Sequence, residues 1–518
     1  MPGVETFQYT CERRTQYGGY DALSYTWGSP SKSNKINIKG DALAITKNLD
    51  AALRGVRSTT RTRVLWVDAI CIDQEYVLER NHQVNMMKRI FSQASSVIVW
   101  LGSAQPEIPT VDRLIVNYNF HLFRYRKPKI LSYSEADLAG LRQLFASPWW
   151  KRIWIVQEVV AASEIVIRYG SHFIPWHFLA EVCRGIQANE FRAHPRSPIL
   201  RTCGYRKFMA LDSFRRHGAM LLIRLLQCTR EYNATDPRDK IYALLGIAND
   251  VTPQDIFPDY TQPPESVYLK VVRFMVTIRK SLDIISSGRL ALAAPGVPTW
   301  SPDWRVLDTA PPLSGDEVAG HRYSAAGPTT AVMDMTGFPS ILQVDGVFAD
   351  RVDCMGGTLK LARESMSTIR RWHYIAQQNL KARNPDGENW TRLFAQTIIA
   401  DKNHLGKRAS DQFMDAFGAF INGELPDMTA AVRFYADAVT RAVIGRRFFL
   451  TKRSRMALGP DDVQLGDMIV VLKGCSVPLV VRAVEGGVVL IGEVYVSGIM
   501  NGEVIEDGKS RVTKITLR

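Results

Sequence analysis

Three residues in the stretch SPWWKRIWIVQEVV (147–160) pose the first chemical question. Trp150, Trp154 and Glu158 fall at i, i+4 and i+8, one line along a helix turning 100° per residue. Ser147 followed by Pro148 reads as an N-cap with a first-turn proline, so a helix is predicted from here. Glu158 has Trp154 and Ile155 behind it, Ala161 and Ala162 ahead, and no basic residue at i±3 or i±4. A carboxylate taken out of water without a partner is costly. Glu158 therefore either pairs with an arginine such as Arg152 or faces a cleft as a catalytic or ligand-binding group beside an aromatic shelf.

Other polar residues carry the same choice. Asp68, ending the apolar run RVLWVDAIC, could orient a sugar hydroxyl or cap a loop. Asp73-Gln74 followed by Glu79-Arg80 reads first as loop-to-helix capping, and Trp27-Gly28 could cover a ligand ring or be core plus a turn glycine. Several chemistries lack their motifs: there is no GxxxxGK[ST] phosphate loop, no GxGxxG after a strand, no HExxH and no GxSxG elbow. His172 and His177 stand five apart, not at metal-ligand spacing, and no metal is expected.

The elements that must position these groups alternate. YDALSYTWG is a short strand ending in glycine, and KINIKGDALAIT (35–46) a hairpin around Gly40 and Asp41. KNLDAALRGV looks helical, and RVLWVDAIC is a buried strand. ERNHQVNMMKRIFSQA (79–94) places Val84, Met87, Ile90, Phe91 and Ala94 on one helical face, and SSVIVWLG is a third buried strand. Continuous apolar strands separated by helices argue for an open, largely parallel α/β sheet. In such a sheet a ligand sits outside the carboxyl ends of the strands, where SYTWG, DAICIDQ and WLG would lie.

Downstream, 171–305 reads as helical or mixed, 306–445 as loop-rich then helical, and 446–518 as a small β-barrel-like domain, following a first domain at 1–170. ATDPRDKIYALLG (234–246) reads as a capped helix, with Pro237 starting it, Asp239 in its first turn and Gly246 ending it. The chain has 518 residues, 46% hydrophobic, enough for two to four domains. Seven scattered cysteines without a CxxC pair fit a reducing, cytoplasmic setting, and neither a signal core nor a membrane span is expected. The net charge of +14 is spread out, with modest clusters at 123–129 and 446–455 and no nucleic-acid-binding signature. Solvated surface or an anionic, phosphate-bearing ligand accounts for it.

YDALSYTWG, LWVDAICIDQ, VIVWLG and WWKRIWIVQEV, in that order over about 20–160, resemble the HET (heterokaryon incompatibility) domain of filamentous fungi. ATDPRDKIYALLG, PTWSPDW and the glycine-punctuated C-terminal strands look like segments that commonly follow it. CIDQ stands where the family usually has CINQ, and the lead-in before YDALSY is short. The resemblance implies a role in self/non-self recognition and the cell death that follows fusion of unlike hyphae. It also implies an N-terminal open parallel sheet of the flavodoxin and Toll/interleukin-1 receptor (TIR) type, with a helical region and a small β-rich domain after it.

Some TIR domains, which act in innate immunity, cleave NAD+ with a glutamate four residues after a helical tryptophan, and Trp154 to Glu158 keeps that spacing. Carried over, Glu158 would be the catalytic carboxylate. Ser24, Tyr25, Trp27, Gly28, Asp68 and Gln74 would line the nucleotide site. Trp154 or Trp150 could stack on a base, and Arg152 could meet the pyrophosphate. NAD+ would be substrate, with no bound cofactor. Two other readings stay open: a non-enzymatic module acting by self-association on an unidentified protein trigger, or a related enzyme of specialised metabolism acting on an aromatic small molecule.

Overall fold

The computed structural model describes residues 8–9, 19–102, 134–192, 202–286, 297–359, 365–383, 390–423, 429–506 and 511–518, less a few positions within them, together with 111, 113, 116 and 199. The basic cluster at 123–129 lies outside the described residues. The chain forms two compact units, one of residues 1–222 and 231–261, the other of 223–230 and 262–518.

Among the described residues the first unit holds two sheets. In the small one, β1 (Gln8–Tyr9) runs parallel to β3 (Asn34–Ile38), which pairs with β4 (Asp41–Ile45) as the expected hairpin. Lys39 and Gly40 both take positive φ, 53° and 102°, as a tight hairpin turn demands. The main sheet is built from β2 (Asp21–Ser24), β5 (Leu65–Trp66), β6 (Ser96–Trp100), β7 (Ile165–Tyr169) and β8 (His172–Pro175), in spatial order β5-β2-β6-β7-β8. All pairs are parallel except the β7–β8 hairpin at one edge. Counted within this sheet, the order is second-first-third-fourth-fifth, one of the two common orders of doubly wound α/β sheets. The chain reverses direction across the sheet between β2 and β6. The crevice beyond their carboxyl ends is therefore the switch point where ligands bind in such folds.

The helices follow local cues. Thr46 caps α1 (Lys47–Val56), which buries Leu49, Ala52, Leu53 and Val56. A four-residue helix, α2 (Asp68–Cys71), follows β5, and α3 (Val77–Gln93) buries Val84, Met87 and Phe91. Ser134 and Asp137 form a capping box on α4 (Glu135–Ala146). The expected single helix from Ser147 is instead two pieces: a 3₁₀ turn at Pro148–Lys151 and α5 (Ile155–Ala161). Between them Arg152 is extended, at φ −75° and ψ 135°, because 151–153 pairs with Asn233. Ile153 donates to the Asn233 carbonyl at 2.9 Å, and the Asn233 amide donates to the Lys151 carbonyl at 2.5 Å. A long-range backbone ladder thus overrides a good local helix.

In the second unit the short β9 (Met333–Asp334) pairs with β10 (Leu342–Thr358), and a ring of strands closes from β10 through β13 (Met468–Leu472), β14 (Leu479–Val484), β15 (Gly487–Glu493) and β17 (Thr513–Leu517), the last pairing back to β10. This barrel packs Val347, Ala349, Ile469, Val471, Val480 and Ile491 into one core. Register shifts at Phe348–Asp350 and Val352–Cys354 let β10 bend out of the ring. Its far end then pairs with β11 (Arg446–Thr451), which continues to β12 (Met456–Pro460) and β16 (Tyr495–Val496). Period-two patterning from 446 onward marks most of these strands; β10 joins them from far upstream. Helices at Pro264–Ile278, Ser365–Arg383, Trp390–Ile398 and Ala430–Val443 make the expected helical middle. Among the described residues no helix is long and apolar enough to cross a membrane.

Candidate functional site

β2 ends at Ser24, 1% exposed, at the switch point. Its hydroxyl donates to Glu158 Oε2 and accepts from Trp149 Nε1 at 2.7 Å. Trp149 reaches Ser24 because Ser147 Oγ donates to the Leu101 carbonyl just beyond β6 (3.2 Å), tying the 3₁₀ turn to the end of the neighbouring strand. Tyr25, next along the chain and 2% exposed, donates its phenol to Asp68. Burial first, and the Asp68 charge second, push that phenol well above its ordinary range. Trp27 keeps 41% of its surface in solvent and donates Nε1 to Asp68 Oδ2 at 2.9 Å. Asn48 donates its side-chain amide to the Thr26 carbonyl, pinning this loop, and Gly28 then turns the chain at φ +73°.

Asp68 opens α2 directly after β5, its Oδ1 accepting from the Ala69 amide at 2.7 Å. Gln74 braces it by donating to its backbone carbonyl at 3.2 Å. Burial raises the Asp68 carboxyl above its ordinary value; Arg152, Trp27, Ala69 and Tyr25 oppose that rise. Glu158, 3% exposed, is raised in the same way, with Arg152 and Ser24 opposing and Asp68 adding to it. Since its helix begins at Ile155, Glu158 sits in the first turn, where the backbone dipole favours a carboxylate. Arg152 Nη1 lies 3.6 Å from Glu158 Oε1, an ion pair too long for a hydrogen bond, and this nitrogen is out of solvent with no hydrogen-bond partner.

Ser24, Tyr25, Trp27, Asp68, Gln74, Arg152 and Glu158 therefore meet in one place. The line of Trp150, Trp154 and Glu158 does not form as a whole: the break at Arg152 turns Trp150 away, while Trp154, whose carbonyl accepts from the Glu158 amide at 3.1 Å, stays one helical turn from Glu158. Trp150 is core: it donates to the Leu144 carbonyl at 2.9 Å and packs its ring against Phe145 and Phe208. Trp154 donates its indole to Asp239 Oδ2 at 3.0 Å. Sequence reasoning passed over Trp149, for which no local signal exists, and Asp239, whose helix-start position gave a sufficient local explanation. Among the described residues, no group of three or more His, Cys, Asp or Glu side chains could hold a metal.

A buried acid–base cluster at the switch point of a parallel sheet, with a β-barrel in the second unit, defines a two-part α/β and β protein. Residues 20–158 match the Heterokaryon incompatibility protein (HET) family, and residues 423–512 match the Het-6 beta-barrel domain. Over its length the chain is similar to Heterokaryon incompatibility protein 6, OR allele, of Neurospora crassa, at 25% identity across 94% of this chain and 90% of that one. No solved structure matches it.

Proposed function

We propose that this chain serves fungal non-self recognition and the cell death that follows it, and that its HET domain acts there by splitting the nicotinamide–ribose bond of NAD+. The HET and barrel matches and the Neurospora relative support the first part. One observation carries the second. Two carboxylates, Asp68 and Glu158, share one arginine at the switch point, and Arg152 Nη1 is left without a hydrogen bond. A finished structural salt bridge closes that gap; a site for a polar ligand leaves it open.

The chemistry follows from the cluster. Cleavage passes through an oxocarbenium-like state with positive charge on the ribose. Ionised Glu158 stabilises that charge and accepts from the ribose hydroxyls. Nicotinamide leaves neutral, with the bonding electron pair, and needs no acid. Water adds to the anomeric carbon and releases one proton, giving ADP-ribose. Arg152 favours the ionised form of Glu158 against the pull of burial and offers its unpaired N–H to the pyrophosphate, and half-exposed Trp27 offers a ring face. In a dry site one such preorganised group is worth about 2.7–4 kcal/mol. The tryptophan-to-glutamate spacing and the strand order are the points of likeness to NAD+-cleaving TIR domains.

A second reading has its own observation: Glu158 is 3% exposed, bonded by Ser24, which Trp149 holds in turn, and faced by Arg152. On that reading the cluster is an internal brace of a module that acts by assembly. The test incubates the purified chain with NAD+, at high concentration and with a crowding agent, beside Glu158→Gln, and follows nicotinamide by chromatography. Release by wild type and not by the variant supports the enzyme. Silence from both, with the variant unfolding in less denaturant, overturns it in favour of the brace.

A further inference from the structure

Arg152 and Glu158 can pair only because the helix between them is broken. Six residues apart on a continuous helix they would point roughly 120° from each other. The break is held from beyond the HET-matched span. Asn233 pairs with the backbone on both sides of Arg152, at Lys151 and Ile153. Trp154, the residue from which α5 starts, is held through its indole by Asp239.

Asp239 is itself firmly mounted. Its other oxygen accepts from the Tyr260 phenol, and the Tyr260 amide donates to Asn81 Oδ1 at 2.9 Å. The Arg80 guanidinium lies 4.0 Å over the Tyr260 ring, and Tyr242 packs edge-on against it at 5.2 Å. At the far end of α5, Arg215 donates to the carbonyls of Val159, Ala162 and Ser163. The helix bearing Glu158 is thus gripped at both ends by residues that lie after it in sequence.

We propose that Asp239 is a positioning residue of the Glu158 site: through Trp154 it fixes where α5 begins, and so sets the Arg152–Glu158 and Ser24–Glu158 contacts. This rests on the reading of Glu158 as the NAD+-cleaving carboxylate. It assigns Trp154 to orientation, and it extends the working site to residue 260. A displacement of about 1 Å at a reacting group is enough to lower turnover by two orders of magnitude.

The test compares full-length Asp239→Ala, Asp239→Asn and Trp154→Phe with wild type. One readout is kcat and KM for nicotinamide release. The other is the indole N–H resonance of Trp149, assigned with Trp149→Phe, which reports the Ser24–Glu158 contact whether or not NAD+ is cleaved. Asp239→Ala is expected to lower kcat about 10- to 100-fold with KM within about twofold, and to move the Trp149 resonance. Asp239→Asn keeps an acceptor for Trp154 and restores both. Trp154→Phe, which leaves the Tyr260 tie intact, repeats the alanine result and decides the matter where that variant does not fold. If wild type releases no nicotinamide, the enzyme reading fails and the Trp149 resonance alone judges Asp239. An unmoved Trp149 resonance in folded Asp239→Ala or Trp154→Phe overturns the proposal.

Discussion

Asp239 also makes a pH prediction that needs no ligand. Its carboxyl is almost wholly buried and is pushed up from 3.8 to about 6, first by burial, with the hydrogen bonds from Tyr260 and Trp154 opposing; Asp236 adds to the rise and Arg80 resists it. Between those two values the folded chain holds a proton that the unfolded chain has released. Stability from this group is therefore full below 3.8 and is lost as pH rises through about 6. The whole gap corresponds to about 3 kcal/mol, of which about 2 kcal/mol is expressed between about pH 4.5 and 7.5. Asp239→Asn stays neutral throughout; its Oδ1 can accept from Trp154 while its NH2 donates to the Tyr260 oxygen. Urea unfolding of both proteins, followed by tryptophan fluorescence at steps of pH, isolates the carboxyl in the difference curve. Other raised carboxyls such as Glu158 titrate in both proteins and cancel. Wild type should lose about 2 kcal/mol relative to the variant across that range. Parallel curves, or a wild type that gains on the variant as pH rises, would refute the burial argument.

Two further substitutions test how α5 and its neighbours are packed. Gly204 opens the helix Cys203–His217 against the end of α4, and a Cβ there would lie 2.0 Å from the Phe145 carbonyl oxygen. Backbone cannot swing aside as a side chain can, so Gly204→Ala should lower stability by about 3 kcal/mol or leave little soluble protein; an unchanged unfolding midpoint would show the helices are not that close. Arg215→Ala strips the carbonyls of Val159, Ala162 and Ser163 of a shared donor. A loss of about 1–3 kcal/mol is expected, with hydrogen exchange quickening across 155–162 and little elsewhere, whereas uniform exchange across the unit would count against a local clamp.

What was legible in the sequence was whatever local chemistry decides. The helix KNLDAALRGV forms over its full predicted span because Thr46 caps it and Leu49, Ala52, Leu53 and Val56 share a face. The hairpin forms at Gly40 because its turn needs positive φ. The parallel strands show themselves as unbroken apolar runs, since both faces are covered. The stretch 147–160 defeated the same method. Its periodicity is sound, and a continuous helix would have aligned Trp150, Trp154 and Glu158. The carbonyl and amide of Asn233 override that helix from a distance no local window spans; Trp150 goes to a core contact, while Trp154 and Glu158, still one turn apart, reach Asp239 and Ser24. β10 was hidden for a related reason: closing a ring is a property of the partners, Met468–Leu472 and Thr513–Leu517, and leaves no mark of its own on residues 342–358.

The site divides along the same line. Ser24, Tyr25 and Asp68 stand at strand ends, so the topology of a parallel sheet is enough to bring them together. Asp239 could not be found that way, because a helix-start aspartate already has a complete local explanation. Solvent exposure separates the two cases. A carboxylate that serves only its own helix terminus can do so from the surface, and has no need to leave water. Asp239 is buried against Tyr260 and Trp154, each spending its one polar hydrogen on it. Burial at that cost must be set against something outside the helix, and here what it holds is the first turn of the helix that carries Glu158.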